Sequence, residues 1–444
     1  MKRSCIAAAS LLFLALGSGS VAVANQTRNP APKTTPAPKP RAEETDPLAP
    51  LLQQAQDAID KGNFSDAIAP LQKYIAARPD YAFAHFQLGY VYSELKRYDD
   101  AQAEYVRTIA LDPHMAEAHL NLGIILMDRD PGAAADSLRQ AAELQPRESR
   151  PRFLYGLALE RSGKREEAIA QYQAASALSP DDYDIHFALG QALLVLKRGP
   201  ESEAEYRKAI ALKAGEADAL MGLSRALALQ GKYGPAAEQL QAYLKLKPDD
   251  SVAHFECAFD LMQIDQFDAA LAELDRAEAN GGPAPGSRKM RAGIYMQQHR
   301  WKEAATALGA AIPISPMDDQ LYAWLGRCLL ELHDFKGSAE NLSKALQLNP
   351  TDPDPLRDLV DAYYLGGDCP STLRTLDLLS QREPLKPIAW FVRGSCYDTL
   401  DQKKDAVAAY QKYLDLDQGR HDTQDFQAQQ RILALQRELQ KNHH

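Results

Sequence analysis

Strand patterning is absent. Beyond the N-terminus, no stretch of this 444-residue chain alternates apolar and polar side chains as a half-buried strand requires, which argues against a β-rich fold. Cysteine is scarce: there are five, none in C-x-x-C spacing, which argues against zinc and thioredoxin-like chemistry. Positive charge is in deficit. The formal net charge is −10 and no basic cluster stands out, so nucleic-acid binding is not expected. The apolar run Ile6–Leu16 is too short for a comfortable membrane span. Signatures of catalysis are missing too, with no G-x-S-x-G, P-loop, H-E-x-x-H or dinucleotide fingerprint.

What the sequence does have is a period. Ala82–Pro113 reads as two amphipathic helices joined by a tight turn. Leu88, Gly89 and Tyr92 share a face of the first; Ala101, Tyr105 and Ile109 share a face of the second. Pro113 stops the second helix, because it cannot continue the hydrogen-bond ladder. That proline returns at Pro79, Pro146, Pro180, Pro248, Pro316, Pro350 and Pro384, with Ala214 and Gly282 in its place where an interval doubles. A small residue of the second helix recurs as Ala67, Ala101, Ala134, Ala168, Ser202, Ala236, Ala270, Ala304, Ser338, Thr372 and Ala406. Four further on stands a large one: Leu71, Tyr105, Leu138, Tyr172, Tyr206, Leu240, Leu274, Leu308, Leu342, Leu376 and Tyr410. Gly89 and Ala101 are small where two helices must approach closely. The third repeat is one residue short, and the turn Arg129-Asp130-Pro131-Gly132 absorbs the loss. The tenth carries Pro370 just before Thr372. The loop from Gly281 to Gly286 is a candidate hinge, with an ordinary turn as the alternative because Pro316 is back in phase.

This pattern resembles the tetratricopeptide repeat, whose period is 34 residues, and extends over about eleven copies from about Pro47 to Gln418. The resemblance implies an all-α fold, a right-handed α-solenoid of about eleven helical hairpins with a C-terminal capping helix, about twenty-three helices in all. It also implies a binding surface. In the family, the fifth, ninth and twelfth residues of the first helices face a concave groove. The matching fifth positions include Phe86, Leu120, Phe153, Phe187, Met221, Phe255 and Arg357; the ninth include Tyr90, Ile124, Leu157, Phe259 and Arg327. The groove is therefore expected to be apolar and aromatic over the second to seventh repeats, and polar and charged from the eighth. Phe153, Phe187 and Phe255 should be partly exposed, unless such rings pack against neighbouring helices instead. Some members hold a peptide's terminal carboxylate with a Lys and Asn cluster. The matching positions here are Phe86, Tyr90, Leu120, Asn121 and Ile124, so that clamp is absent. The expected function is a non-catalytic scaffold that binds an extended or helical segment of a protein or peptide partner. No cofactor, metal, small-molecule substrate or nucleic acid is expected. The alternative is a structural subunit of an envelope or secretion assembly docked at the membrane. The repeats use up the chain, so no segment is left for a catalytic domain.

Residues 1–24 read as an export signal: basic Met1-Lys2-Arg3, apolar Ile6–Leu16, and Ala22-Val23-Ala24 as a cleavage site that would leave Asn25 first. Residues 25–47 are proline-rich without apolar periodicity and read as a disordered linker. Residues 48–418 form the repeat array, and 419–444 a capping helix with Phe426, Ile432, Leu435 and Leu439 on one face. An exported protein, periplasmic or extracellular, is expected. An uncleaved signal would instead anchor it to the inner membrane; otherwise membrane association would come through a partner.

His85, His119, His186 and His254 all stand fourth in their repeats. Repeats stack a helix pair apart, too far for these rings to share a metal at about 2 Å, so junction packing is expected. Cys257, Cys328 and Cys396 fall inside first helices, where a small thiol packs well. Cys369 opens the second helix of the tenth repeat, and antiparallel stacking brings it near Cys396. The two could bridge in an oxidising compartment, with buried free thiols as the alternative.

Overall fold

The computed structural model describes residues 47–282 and 284–441. The expected export signal and linker lie outside these residues, apart from Pro47. Among the described residues there are twenty-three α-helices and no strand.

The chain divides into two compact units, Met1–Leu246 and Lys247–His444. The first holds six hairpins: α1 (Ala49–Asp60) with α2 (Phe64–Ala77), α3 (Ala82–Glu94) with α4 (Tyr98–Leu111), α5 (Ala116–Leu126) with α6 (Pro131–Leu144), α7 (Ser149–Arg161) with α8 (Arg165–Leu178), α9 (Tyr183–Val195) with α10 (Gly199–Leu212), and α11 (Ala217–Ala228) with α12 (Tyr233–Leu246). The second holds five: α13 (Ser251–Gln263) with α14 (Phe267–Ala279), α15 (Ala284–Gln297) with α16 (Trp301–Ala311), α17 (Asp319–Glu331) with α18 (Phe335–Leu348), α19 (Asp354–Leu365) with α20 (Cys369–Ser380), and α21 (Pro387–Thr399) with α22 (Lys403–Asp417). A single helix, α23 (Asp422–Lys441), follows. Within each unit, successive helices pack on one another in chain order.

Two backbone devices repeat. Inside each hairpin, one residue takes the left-handed conformation that reverses the chain: Gly62, Lys96, Gly163, Lys197, Gly231, Asp265, His299, His333, Gly367 and Asp401. The third hairpin does without it. There α5 stops early and the Asp130 carboxylate accepts from the amide of Ala133 at 3.0 Å, which caps α6. Between hairpins the residue that follows the second helix leaves the helical conformation. Arg78 (φ −137°, ψ 77°), Asp112 (φ −136°, ψ 89°) and Ser179 (φ −135°, ψ 78°) each precede a proline that disfavours the helical region for them. Lys213 precedes Ala214 yet holds φ −141° and ψ 93°. The turn outlasts the loss of its proline because the surrounding helices fix the same path.

The hairpins close on a notch. At the eighth position of the first helix, Gly89, Gly156 and Gly394 each face a tyrosine of the second helix. A Cβ there would fall 2.9 Å from Tyr105, 2.5 Å from Tyr172 and 2.7 Å from Tyr410. Those rings fill the interior: Tyr105 and Tyr172 have no exposed surface.

One detail departs from expectation. On α23 the buried stripe is Ala428, Ile432 and Leu435, against Tyr410 and Tyr413. Phe426 lies off that stripe and is 62% exposed. In the tenth hairpin, Pro370 falls in the first turn of α20, where its missing N–H deprives no intrahelical bond. The Asp368 carboxylate accepts from the amide of Ser371 at 3.0 Å and caps the same turn.

The turn geometry makes a prediction. Lys96 (φ 59°) and Lys197 (φ 59°) sit where only glycine is unstrained. Lys96→Gly and Lys197→Gly should each raise stability by about 0.5–1 kcal/mol, whereas Gly163→Ala should lower it by about 1 kcal/mol. Urea unfolding of the three variants checks the opposite signs.

Candidate functional site

The sequence pointed to the fifth and ninth residues of the first helices as a binding stripe. The structure splits that stripe. Phe86, Leu120, Phe153, Phe187 and Met221, together with Tyr90 at a ninth position, are buried. Phe153 has no exposed surface and Phe187 is buried as well, contrary to the expectation of partly open rings; of the three, Phe255 alone is half-buried. The reason is the notch. Phe86, Phe153 and Phe187 each lie on the tyrosine that closes their own hairpin, with centroids 6.0 Å apart for Phe86 and Tyr105, and 5.8 Å for both Phe153–Tyr172 and Phe187–Tyr206. Such pairs belong to the core.

Other members of the stripe stay half-buried: Ile124 and Leu157 in the first unit, Phe255, Phe259, Arg327 and Arg357 in the second. The second unit is charged here, and its charges are linked from one hairpin to the next. Lys289 Nζ donates to Asp318 at 2.8 Å, Arg327 to Asp358 at 3.2 Å, and Arg357 Nε to Glu383 at 2.7 Å. Burial pushes the Asp358 carboxyl up to about 6, against the pull of Arg327.

The four histidines are structural clamps. Nε2 of His85, His119, His186 and His254 donates to the carbonyl of Pro79, Pro113, Pro180 and Pro248 at the end of the preceding repeat, over 2.8–3.1 Å. Nδ1 of His85, His186 and His254 lies 2.6 Å from a carboxylate oxygen of Glu104, Glu205 and Glu273 in the second helix of the same hairpin. Both nitrogens of these three rings are thus engaged. The glutamates were missed in the sequence, although each stands nineteen residues after its histidine. His119, in the shortened third repeat, has Ser137 in the corresponding place and keeps only the carbonyl bond. Among the described residues, no group of three or more His, Cys, Asp or Glu side chains could hold a metal ion. None of the described helices is long and apolar enough to cross a membrane.

Cys369 and Cys396 are free thiols, as are Cys257 and Cys328, and all four are buried. The Cys369 side chain lies near enough to Cys396 to bear on its thiol.

Two predictions arise. His186→Ala removes both ring bonds and leaves Glu205 in a largely buried place, so it should cost about 2–3 kcal/mol. Zinc or nickel ions should leave the unaltered protein's melting temperature unchanged; a rise on adding metal would contradict the clamp. The second concerns pH. The folded Asp358 carboxyl binds its proton more tightly than the unfolded one, whose ordinary value is 3.8. Its contribution is therefore fully present below about pH 4 and lost as pH rises through about 6. Asp358→Asn should flatten that part of the stability–pH curve, by about 3 kcal/mol at most.

The tetratricopeptide repeat profile matches residues 52–101, 86–149, 156–217, 201–251, 260–319 and 289–353, and a second tetratricopeptide profile matches 388–420. No curated protein matches the sequence. Several solved structures are similar. One is YrrB, described as a TPR protein with an unusual peptide-binding site: 20% identical, covering 41% of this chain and 95% of its own, with a TM-score of 0.39. MamA is 23% identical, covering 37% and 91%, with a TM-score of 0.36. Yeast Tom70 is 12% identical, covering 88% and 96%, with a TM-score of 0.35. The assignment rests on the repeat profiles and on the notch, turn and junction geometry rather than on these distant likenesses. By its sequence and its helical hairpins, the chain belongs to the tetratricopeptide repeat family.

Proposed function

We propose that this chain binds an extended or helical segment of a partner protein along the face lined by its first helices. The coarser statement needs no proposal: a tetratricopeptide array is a protein–protein interaction scaffold, a fold that is typically non-enzymatic. One observation carries the finer reading. In the first unit the fifth-position rings are consumed by the core, yet Ile124 and Leu157 at the ninth position remain half-buried. Partly open apolar side chains on successive first helices suit a segment that gains affinity from apolar contact. In the second unit, Phe255 and Phe259 lie one helical turn apart on α13 and are half-buried too. The charged pairs that follow along that unit would set the direction of a bound segment.

A photo-cross-linking amino acid at Leu157 tests the reading, with Val106, 51% exposed on α4, as control. Partner adducts should form from position 157 and not from 106. Adducts from 106 alone would move the binding face to the second helices.

We further propose that the protein is exported, on the strength of the Ile6–Leu16 core and the Ala22-Val23-Ala24 site. The mature protein should begin at Asn25 by intact-mass measurement. A full-length chain held in the membrane fraction would instead support an anchor.

A further inference from the structure

We propose that Cys369 and Cys396 are a redox latch: a reversible disulfide between them fixes the eleventh hairpin and the terminal helix onto the tenth hairpin.

The first ground is placement. Cys369 opens α20 and Cys396 lies in α21, so a bond between them would join consecutive hairpins. The Cys369 and Thr372 side chains both lie near enough to Cys396 to bear on its thiol. Cys257 and Cys328 are equally buried, but they sit on α13 and α17.

The second ground is what the junction lacks. Six of the ten other second helices open on a ring: Phe64, Tyr98, Tyr233, Phe267, Trp301 and Phe335. Cys369 replaces that ring. The seventh residue of a first helix is commonly leucine, as in Leu88, Leu189 and Leu359; in α21 it is Arg393. Arg393 donates to Asp377 of α20 at 2.7 Å, a polar bond where neighbouring repeats pack apolar side chains. The α20–α21 junction is among the thinnest between consecutive hairpins. Its like is the α14–α15 junction after the Gly281 turn, where Arg291 donates to Asp275 at 2.7 Å in the same manner. Of these two junctions, only α20–α21 carries a pair of thiols.

The chemistry balances with a small disulfide as oxidant. Cys369, the less deeply buried thiol, attacks one sulfur of the disulfide and releases the first small thiol. Cys396 then attacks the Cys369 sulfur and releases the second. Both cysteine protons end on the two released thiols, and two electrons pass from the protein to the small disulfide. Burial, then the neighbouring Cys369 thiol, pushes the Cys396 thiol up to about 12. Its step is therefore the slow one, and the latch responds to sustained rather than brief oxidation.

The test uses the full chain equilibrated in glutathione disulfide or in reduced glutathione. Alkylation and peptide mass spectrometry should find a single Cys369–Cys396 cross-link in the oxidised sample, with Cys257 and Cys328 alkylated in both. Amide hydrogen exchange over 387–441 should slow by about tenfold on oxidation and stay unchanged over α1–α12. A Cys369→Ser chain should match the reduced protein under both conditions. Cys396→Ser should instead accumulate a glutathione adduct on Cys369. An adduct on Cys369 of the unaltered chain that never resolves into the internal bond would overturn the proposal. So would a cross-link through Cys257 or Cys328, or a Cys369–Cys396 bond that leaves exchange unchanged.

Discussion

The structure depends on one close approach, the seating of a large side chain from each second helix against the eighth position of its first helix. Four hairpins use tyrosine there, Tyr105, Tyr172, Tyr206 and Tyr410, and all four face glycine: Gly89, Gly156, Gly190 and Gly394. Where the large residue is leucine the eighth position is free to vary: Ala55, Gly123, Ser224, Ala258, Ala292, Gly326 and Val360. Leucine can fill the same gap, since a Cβ at Gly123 would fall 2.4 Å from Leu138 and one at Gly326 2.6 Å from Leu342, but only the tyrosine hairpins have glycine there in every case. With the ring seated, the fifth-position phenylalanine has a fixed surface to lie on, and the hairpin becomes a unit that can stack.

Stacking then rests on weaker joints. The prolyl carbonyl at the end of one repeat is held by the histidine of the next, and in three repeats that histidine is steadied by a glutamate of its own hairpin. Ion pairs such as Asp99–Arg129 and Glu203–Lys232 add links between consecutive repeats. The Asp99–Arg129 pair is exposed and worth little beside the apolar junctions, whereas Glu203 is largely buried. The joints are uneven: leucine-rich at most junctions, polar at Arg291 and Arg393. An array of this kind behaves nearly as a one-dimensional chain of units, so its local stability follows the local joint.

Much of this was legible in the sequence. The spacing of Ala101, Tyr105 and Pro113 announced the hairpin, and its recurrence announced the number of copies. The nearness of Cys369 and Cys396 was also within reach, because antiparallel stacking alone places them together. The fate of Phe153 was not. Whether a ring at that position faces outward or inward depends on which residue of the second helix meets it, and Tyr172 captured it. The histidine clamps were missed for a related reason. Each His was read within its own helix, while its partner stands nineteen residues on, across the turn. Phe426 was misplaced because a helical stripe admits more than one phase, and Ala428 was too small to be noticed as part of the one that is buried.

The most direct measurement is a double-mutant cycle on the notch of the fourth repeat. Gly156→Ala alone puts a Cβ about where Tyr172 lies and should destabilise by roughly 1–3 kcal/mol. Adding Tyr172→Leu reproduces the alanine–leucine pairing that Ala258 with Leu274 and Ala292 with Leu308 already use in this chain. The double variant should therefore cost less than the sum of the single changes by about 1 kcal/mol or more. Costs that add to within about 0.5 kcal/mol would contradict the account, since glycine and tyrosine would then not be acting on one another.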